Sequence, residues 1–297
     1  MSFLFPWNKS LPDTQLGVGW YNNNICLLRL SQTNDATPTL DFYKSLPNLK
    51  RPTTVLRQLI KRHSLKRIPS VGVMGIGHYQ ILLTEAPPVL ESELVAATRW
   101  RVQELIDFNI EEAIIDVFDV PVSHRQEKMI YVVVARQKAV QRHVDNLLGL
   151  GFKLIALDIP ELALRNIAAL LPEDKNGVAL LWLTPQFMML TITRHATLYL
   201  SRTVKGEIKR ILPLIIAEIR RSLTYYENHF NQAPINHLVI APTSSPLPNL
   251  GKYLANHLGI NVRLLDLNAL LNSVRLSVAQ QAQCFPILGA ALRQKSL

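Results

Sequence analysis

Leu16-Gly17-Val18-Gly19-Trp20-Tyr21-Asn22-Asn23-Asn24-Ile25-Cys26-Leu27-Leu28-Arg29-Leu30 reads as an apolar strand, a tight polar turn and a second apolar strand. Three consecutive Asn residues tolerate positive φ and suit a hairpin tip. The hairpin stands where many nucleotide-binding folds hold phosphate, yet its turn offers no carboxylate for a metal and no lysine for a phosphate. Its chemistry favours a structural hairpin over a ligand loop.

Outward from this hairpin, the pattern predicts a third strand near 39–45, a basic helix from Thr53 to His63 and a strand at Ser70–Gly75. Together they make a β-β-β-α-β unit. Gly72, Gly75 and Gly77 lack the G-x-G-x-x-G order of a phosphate loop, and no clear helix follows them. Leu94, Val95, Thr98, Val102, Leu105 and Ile106 recur at helical spacing, stopping at Asp107–Asn109. Strands at 111–122 and 129–135, a helix Gln137–Leu150 and a strand Lys153–Asp158 complete a compact α+β insert. Gly177 then opens strands at 178–184, 187–193 and 196–203. A long helix over 207–230, a strand at His237–Ala241, a helix over 247–258 and a strand at Val262–Asp266 follow. A second β-β-β-α-β unit in tandem implies a duplicated, two-lobed α/β fold.

The chain has 297 residues, 48% of them hydrophobic, enough for one large domain or two lobes with substantial cores. Its net charge of +10 points to acidic partners, with an anionic membrane surface and nucleic acid as the competing classes. The basic run Lys50, Arg51, Arg57, Lys61, Arg62, Lys66 and Arg67 is the main electrostatic candidate, and most such runs are solvated helix faces. No interleaved aromatics mark it as a nucleic-acid surface. Cys26 and Cys284 lack any Cys-x-x-Cys spacing, so two buried thiols in a reducing compartment are expected in place of zinc or a redox pair. Met1–Trp7 lacks the charged start and long apolar core of a signal peptide, and cytoplasmic residence is the expectation. The Phe3, Leu4, Phe5 and Trp7 cluster reads as a membrane or partner contact, or as a small packed staple.

No nucleophile elbow and no His-Glu-x-x-His arrangement occurs among the eight histidines, so a hydrolase has no anchor. Glu111, Glu112, Asp116 and Asp119 fit a solvated turn and one strand face, that is, surface charge. Trp100, between Arg99 and Arg101 on the insert helix, reads as packing between that helix and the adjoining sheet.

Several segments, in order along nearly the whole chain, are similar to the PilM family of actin-like type IV pilus assembly proteins, most closely to its MSHA-pilus branch, MshI. They are Leu16-Gly17-Val18, Ala97-Thr98-Arg99-Trp100 through Ile106-Asp107-Phe108 with Asp116, and Ala156-Leu157-Asp158-Ile159-Pro160-Glu161. Arg202 with Gly206, Ile216-Ala217-Glu218-Ile219-Arg220-Arg221-Ser222-Leu223 and Leu288-Gly289-Ala290-Ala291-Leu292-Arg293 complete the set.

The resemblance implies a bilobed actin-like (ASKHA) fold with two β-β-β-α-β lobes and a small α+β subdomain inserted in the first. The implied division is 1–83 first lobe, 84–158 insert, 159–176 first-lobe helix and link, 177–276 second lobe and 277–297 a C-terminal helix returning to the first lobe. It also implies a cleft for ATP and magnesium, but Gly19, Tyr21, Asn22–Asn24 and Cys26 stand where the first phosphate motif needs charge. Trp182, Leu183 and Thr184 stand at the second motif, and Ala241, Pro242 and Thr243 replace a glycine pair.

No cofactor, no metal and no catalysis are therefore expected. The expected role is a cytoplasmic scaffold at the inner membrane, binding the cytoplasmic N-terminal segment of a PilN-like membrane protein. Trp100, Gln103, Glu104 and Asp107 are the candidate partner-binding residues, and an anionic membrane surface is a second contact. The competing readings are an ATP-binding actin-like protein with altered cleft ligands and, on charge alone, a nucleic-acid binder.

Overall fold

The computed structural model describes residues 13–21, 24–32, 37–47, 53–121, 128–244, 248–273 and 275–293. The Asn22–Asn23 tip, the Phe3–Trp7 cluster, Lys50 and Arg51 lie outside the described residues.

β1 (Thr14–Tyr21), β2 (Asn24–Ser31) and β3 (Thr39–Pro47) form an antiparallel meander, with Tyr21 opposite Asn24. α1 (Thr53–Arg62) crosses over, and β4 (Pro69–Val73) returns parallel to β1. The chain then builds a separate three-stranded sheet from β5 (Tyr79–Glu85), β6 (Ala113–Asp119) and β7 (Met129–Arg136), in the order β5-β7-β6. Between β5 and β6 lies α2 (Glu91–Val102). α3 (Gln137–Leu150), stopped by Gly151 at φ 94°, leads to β8 (Lys153–Asp158), and β8 pairs parallel with β4. α4 (Pro160–Ala168) links to the second lobe.

There β9 (Val178–Thr184), β10 (Phe187–Arg194) and β11 (Thr197–Lys205) form a second meander, followed by α5 (Ile208–Phe230), β12 (His237–Ile240), α6 (Leu250–Leu258) and β13 (Asn261–Leu264). β14 (Asn272–Ser273) adds to the start of β3, and α7 (Val278–Ala291), opened by a Ser277–Gln280 capping box, returns to pack on β1, β2 and β4.

Strand order β3-β2-β1-β4-β8 in the first lobe matches β11-β10-β9-β12-β13 in the second. Two copies of one plan explain both sheets, and the bilobed α/β architecture expected from the sequence is present. The sheets divide the first half differently from the expected 84–158 insert. Tyr79–Glu85 lies in the three-stranded sheet, whereas Lys153–Asp158 is the fifth strand of the first-lobe sheet. Neighbours in sequence are a poor guide here, because a parallel partner is chosen across a crossover.

β7 shows why the insert sits where it does. Ile130, Val132 and Val134 face α2 in one apolar cluster, while Tyr131, Val133 and Ala135 join a larger cluster with Leu181, Leu200 and Ile208 of the second lobe. Both faces are buried, so the strand is apolar throughout. A third cluster unites Tyr21 and Cys26 of the first lobe with Trp182, Met189 and Ala241 of the second, and with Phe285 of α7.

Candidate functional site

On α2 the buried positions are Leu94, Thr98 and Val102, one per turn on a single stripe. Trp100 lies two residues from the last two of these, on the opposite side, and is 75% exposed. The packing role expected for it is therefore corrected: its indole faces solvent. Gln103 and Glu104 continue from α2 as a 3-10 turn and are exposed. The helical geometry ends before Asp107, which is held over the sheet by Gln80 Nε2 at 3.3 Å and by Arg136 at 3.8 Å. Trp100, Gln103 and Glu104 are thus adjacent along one exposed stretch, and Asp107 lies beyond it. Arg99 fixes the stretch in place by donating to the carbonyls of Ile110 at 2.6 Å and Ala113 at 3.2 Å.

The joint between insert and lobe carries buried charge. Tyr79, the first residue of β5, donates its hydroxyl to Glu161 Oε2 at 2.6 Å. Burial pushes the Glu161 carboxyl up to about 7, against the lowering effect of the Tyr79 hydrogen bond. Asp158 is also raised by burial and opposed by Arg293, whose guanidinium lies 3.7 Å away. Sequence reasoning missed Tyr79. An acid in the first turn of α4 also reads as a solvated dipole partner, and only its depth reveals otherwise.

This geometry fixes a pH dependence. Glu161 binds its proton more tightly in the folded state than in the unfolded one, so its contribution is most favourable below about 4.5 and is lost as pH rises to about 7. Glu161→Gln keeps an acceptor for Tyr79 and has no ionisation. It is expected to exceed the wild type in stability by on the order of 2 kcal/mol above pH 7, the difference closing towards pH 4.5 in urea titrations. A constant difference across that range would contradict the assignment.

In the apolar cluster shared by the two lobes, Trp182 is buried with its ring 5.0 Å from Phe187 and 6.1 Å from Phe285. Ala241 is buried nearby, and Pro242 has no N–H to offer. In the β9–β10 turn the Thr184 hydroxyl accepts from the amides of Gln186 at 3.3 Å and Phe187 at 3.2 Å. The amides that an approaching phosphate would need are already engaged. None of Trp182, Thr184, Ala241 and Pro242 carries a charged side chain. Among the described residues no three His, Cys, Asp or Glu side chains converge as a metal site.

Cys26 and Cys284 are free and buried, as expected, with burial raising the Cys26 thiol and pushing Cys284 up to about 12. Arg57, Lys61, Arg62, Lys66 and Arg67 are exposed on and after α1. Asp116 departs from the surface-charge reading: it is buried, and its carboxylate accepts from the Val117 amide. No helix among the described residues is long and apolar enough to cross a membrane.

No protein-family model matches the chain, and no curated protein matches it. Solved structures do. A chain of a PilM–PilN type IV pilus biogenesis complex superposes with a TM-score of 0.74 at 20% identity, covering 95% of this chain and 99% of that one. The cytoplasmic domain of EpsL, an inner-membrane component of the Vibrio cholerae type II secretion system, gives 0.52 at 13% identity, over 91% and 92%. A Bacteroides thetaiotaomicron protein with an actin-like ATPase fold and unknown function gives 0.51 at 11% identity, over 94% and 98%. The chain therefore has the bilobed actin-like fold.

Proposed function

We propose that this protein is a non-enzymatic scaffold of type IV pilus biogenesis, of the MSHA kind, working in the cytoplasm against the inner membrane. Its partner is the cytoplasmic N-terminal segment of a PilN-like membrane protein, held at the surface that presents Trp100, Gln103 and Glu104, with Asp107 at its margin. The observation that carries this reading is the likeness to the PilM–PilN chain along almost the full length of both. An exposed Trp on a rigid, Arg-pinned helix supports it, because such a side chain supplies large contact area at low entropic cost. The basic face of α1 is the proposed contact with anionic lipid. Trp182, Thr184 and Pro242 favour a cleft that has given up nucleotide.

Calorimetry with synthetic N-terminal peptides of pilus inner-membrane proteins tests the partner. Micromolar binding is expected, and Trp100→Ala is expected to weaken it at least about tenfold while leaving thermal stability within about 0.5 kcal/mol. Silence with every peptide would remove the proposal. Magnesium-dependent ATP binding in the micromolar range would overturn the reading of the cleft.

A further inference from the structure

Among the described residues, most of the outer edge of the first-lobe sheet is open. β14 covers only Thr39 and Leu40, and among the described residues no strand pairs with the remainder of β3 on that side. An unpaired edge leaves a row of backbone donors and acceptors. It runs along a groove of about 760 Å³ between β3, α1 and the approach to α7. The groove has an apolar floor, with the Phe42 ring tilted against His63 at 4.8 Å between centroids, Leu276 buried beside it and Val55 52% exposed.

Its charge is one-sided. Lys44, Arg62 and Arg275 line the groove and are exposed, and none makes an ion pair with a described carboxylate. The one acid in the lining, Asp41, is held by Arg29 at 2.7 Å. The cationic groove does not suit this chain's own terminal segments. Residues 1–12 carry Lys9 and no acid, and residues 294–297 carry Lys295 and no acid. A second copy, at net charge +10, is disfavoured on the same ground.

We infer that the free edge of β3 is a docking site for an extended, acidic segment of another protein, which adds a strand to the sheet. Backbone pairing along residues 41–47 supplies roughly 20 Å of ladder. Alternate side chains of the guest then divide between the apolar floor and the three cations. The site lies at the far edge of the sheet from β8, so it is separate from the α2 surface, and it shares only Arg62 with the basic face of α1.

The test uses the full chain and fluorescent heptapeptides alternating Ile or Val with Glu, beside counterparts carrying Lys in place of Glu. Binding is read by anisotropy and located by hydrogen exchange. The acidic peptides are expected to bind, to weaken with salt between about 0.05 and 0.3 M, and to slow exchange in 41–47. Arg62→Glu combined with Arg275→Glu changes exposed side chains only and is expected to weaken binding at least tenfold. Trp100→Ala is expected to bind as the wild type does. Equal binding of both peptide charges, an unaffected double variant, or unchanged exchange in 41–47 would each overturn the inference. So would phosphatidylglycerol vesicles that sediment the wild type but not the double variant while no peptide binds, an outcome that assigns the groove to lipid.

Discussion

Gly289→Ala is expected to cost at least about 3 kcal/mol of stability, read as a fall in the urea midpoint at unchanged m-value. α7 crosses α4 at this residue, and a Cβ would stand 2.1 Å from the Ala163 carbonyl oxygen, 2.6 Å from its carbon and 2.9 Å from its Cα. All three atoms are backbone, so no side chain can rotate away. Moving the helices apart would also stretch the hydrogen bond from Asn166 Nδ2 to the Gly289 carbonyl, 2.8 Å long. It would further disturb α7 on β1, where Gly17 leaves equally little room beneath Ile287. Gly149→Ala is the matched control: it lies in α3 with nothing within 4 Å of its Cβ position. Helix propensity predicts a gain of up to about 1 kcal/mol there. A loss below about 1 kcal/mol for Gly289→Ala would mean that the crossing is looser than its geometry.

Trp182→Ala is expected to cost about 3–5 kcal/mol. The indole is the largest side chain that β9 contributes to the shared cluster of the two lobes, and it is wedged between Phe187 and Phe285. Its removal opens an apolar cavity inside the cluster that the two lobes share. The variant is still expected to show no thermal shift with magnesium-ATP, because Thr184 continues to hold the amides of Gln186 and Phe187. A shift in the variant would show the indole to be the sole obstacle.

Much of this fold was legible because its signals are local. Alternation marked the hairpin strands, the Leu-rich run of β9 and the periodicity of α5, and the repetition of the meander revealed the second lobe. What failed was partner choice. Lys153–Asp158 is recognisable as a strand, but its place beside β4 depends on a crossover that spans the whole insert. β5 was passed over because it follows the glycines and its side chains are only partly buried. Trp100 illustrates a different failure. The spacing of Leu94, Thr98 and Val102 already turned it outward, yet the apolar character of its ring outweighed the geometry. Asp116 erred in the opposite sense, since its charge hid a buried position. The uncharged character of Trp182, Thr184 and Pro242 is plain in the sequence. How Thr184 closes its own turn required coordinates.

The two-sided burial of β7 gives the protein a mechanical character. One face of this strand packs on α2 and the other on the second lobe, so α2 and β11 lie on opposite sides of one three-stranded sheet. Tyr131 completes the path by accepting from the Ser201 amide at 3.1 Å. A load on α2 would pass to the second lobe through the side chains packed on the two faces of β7.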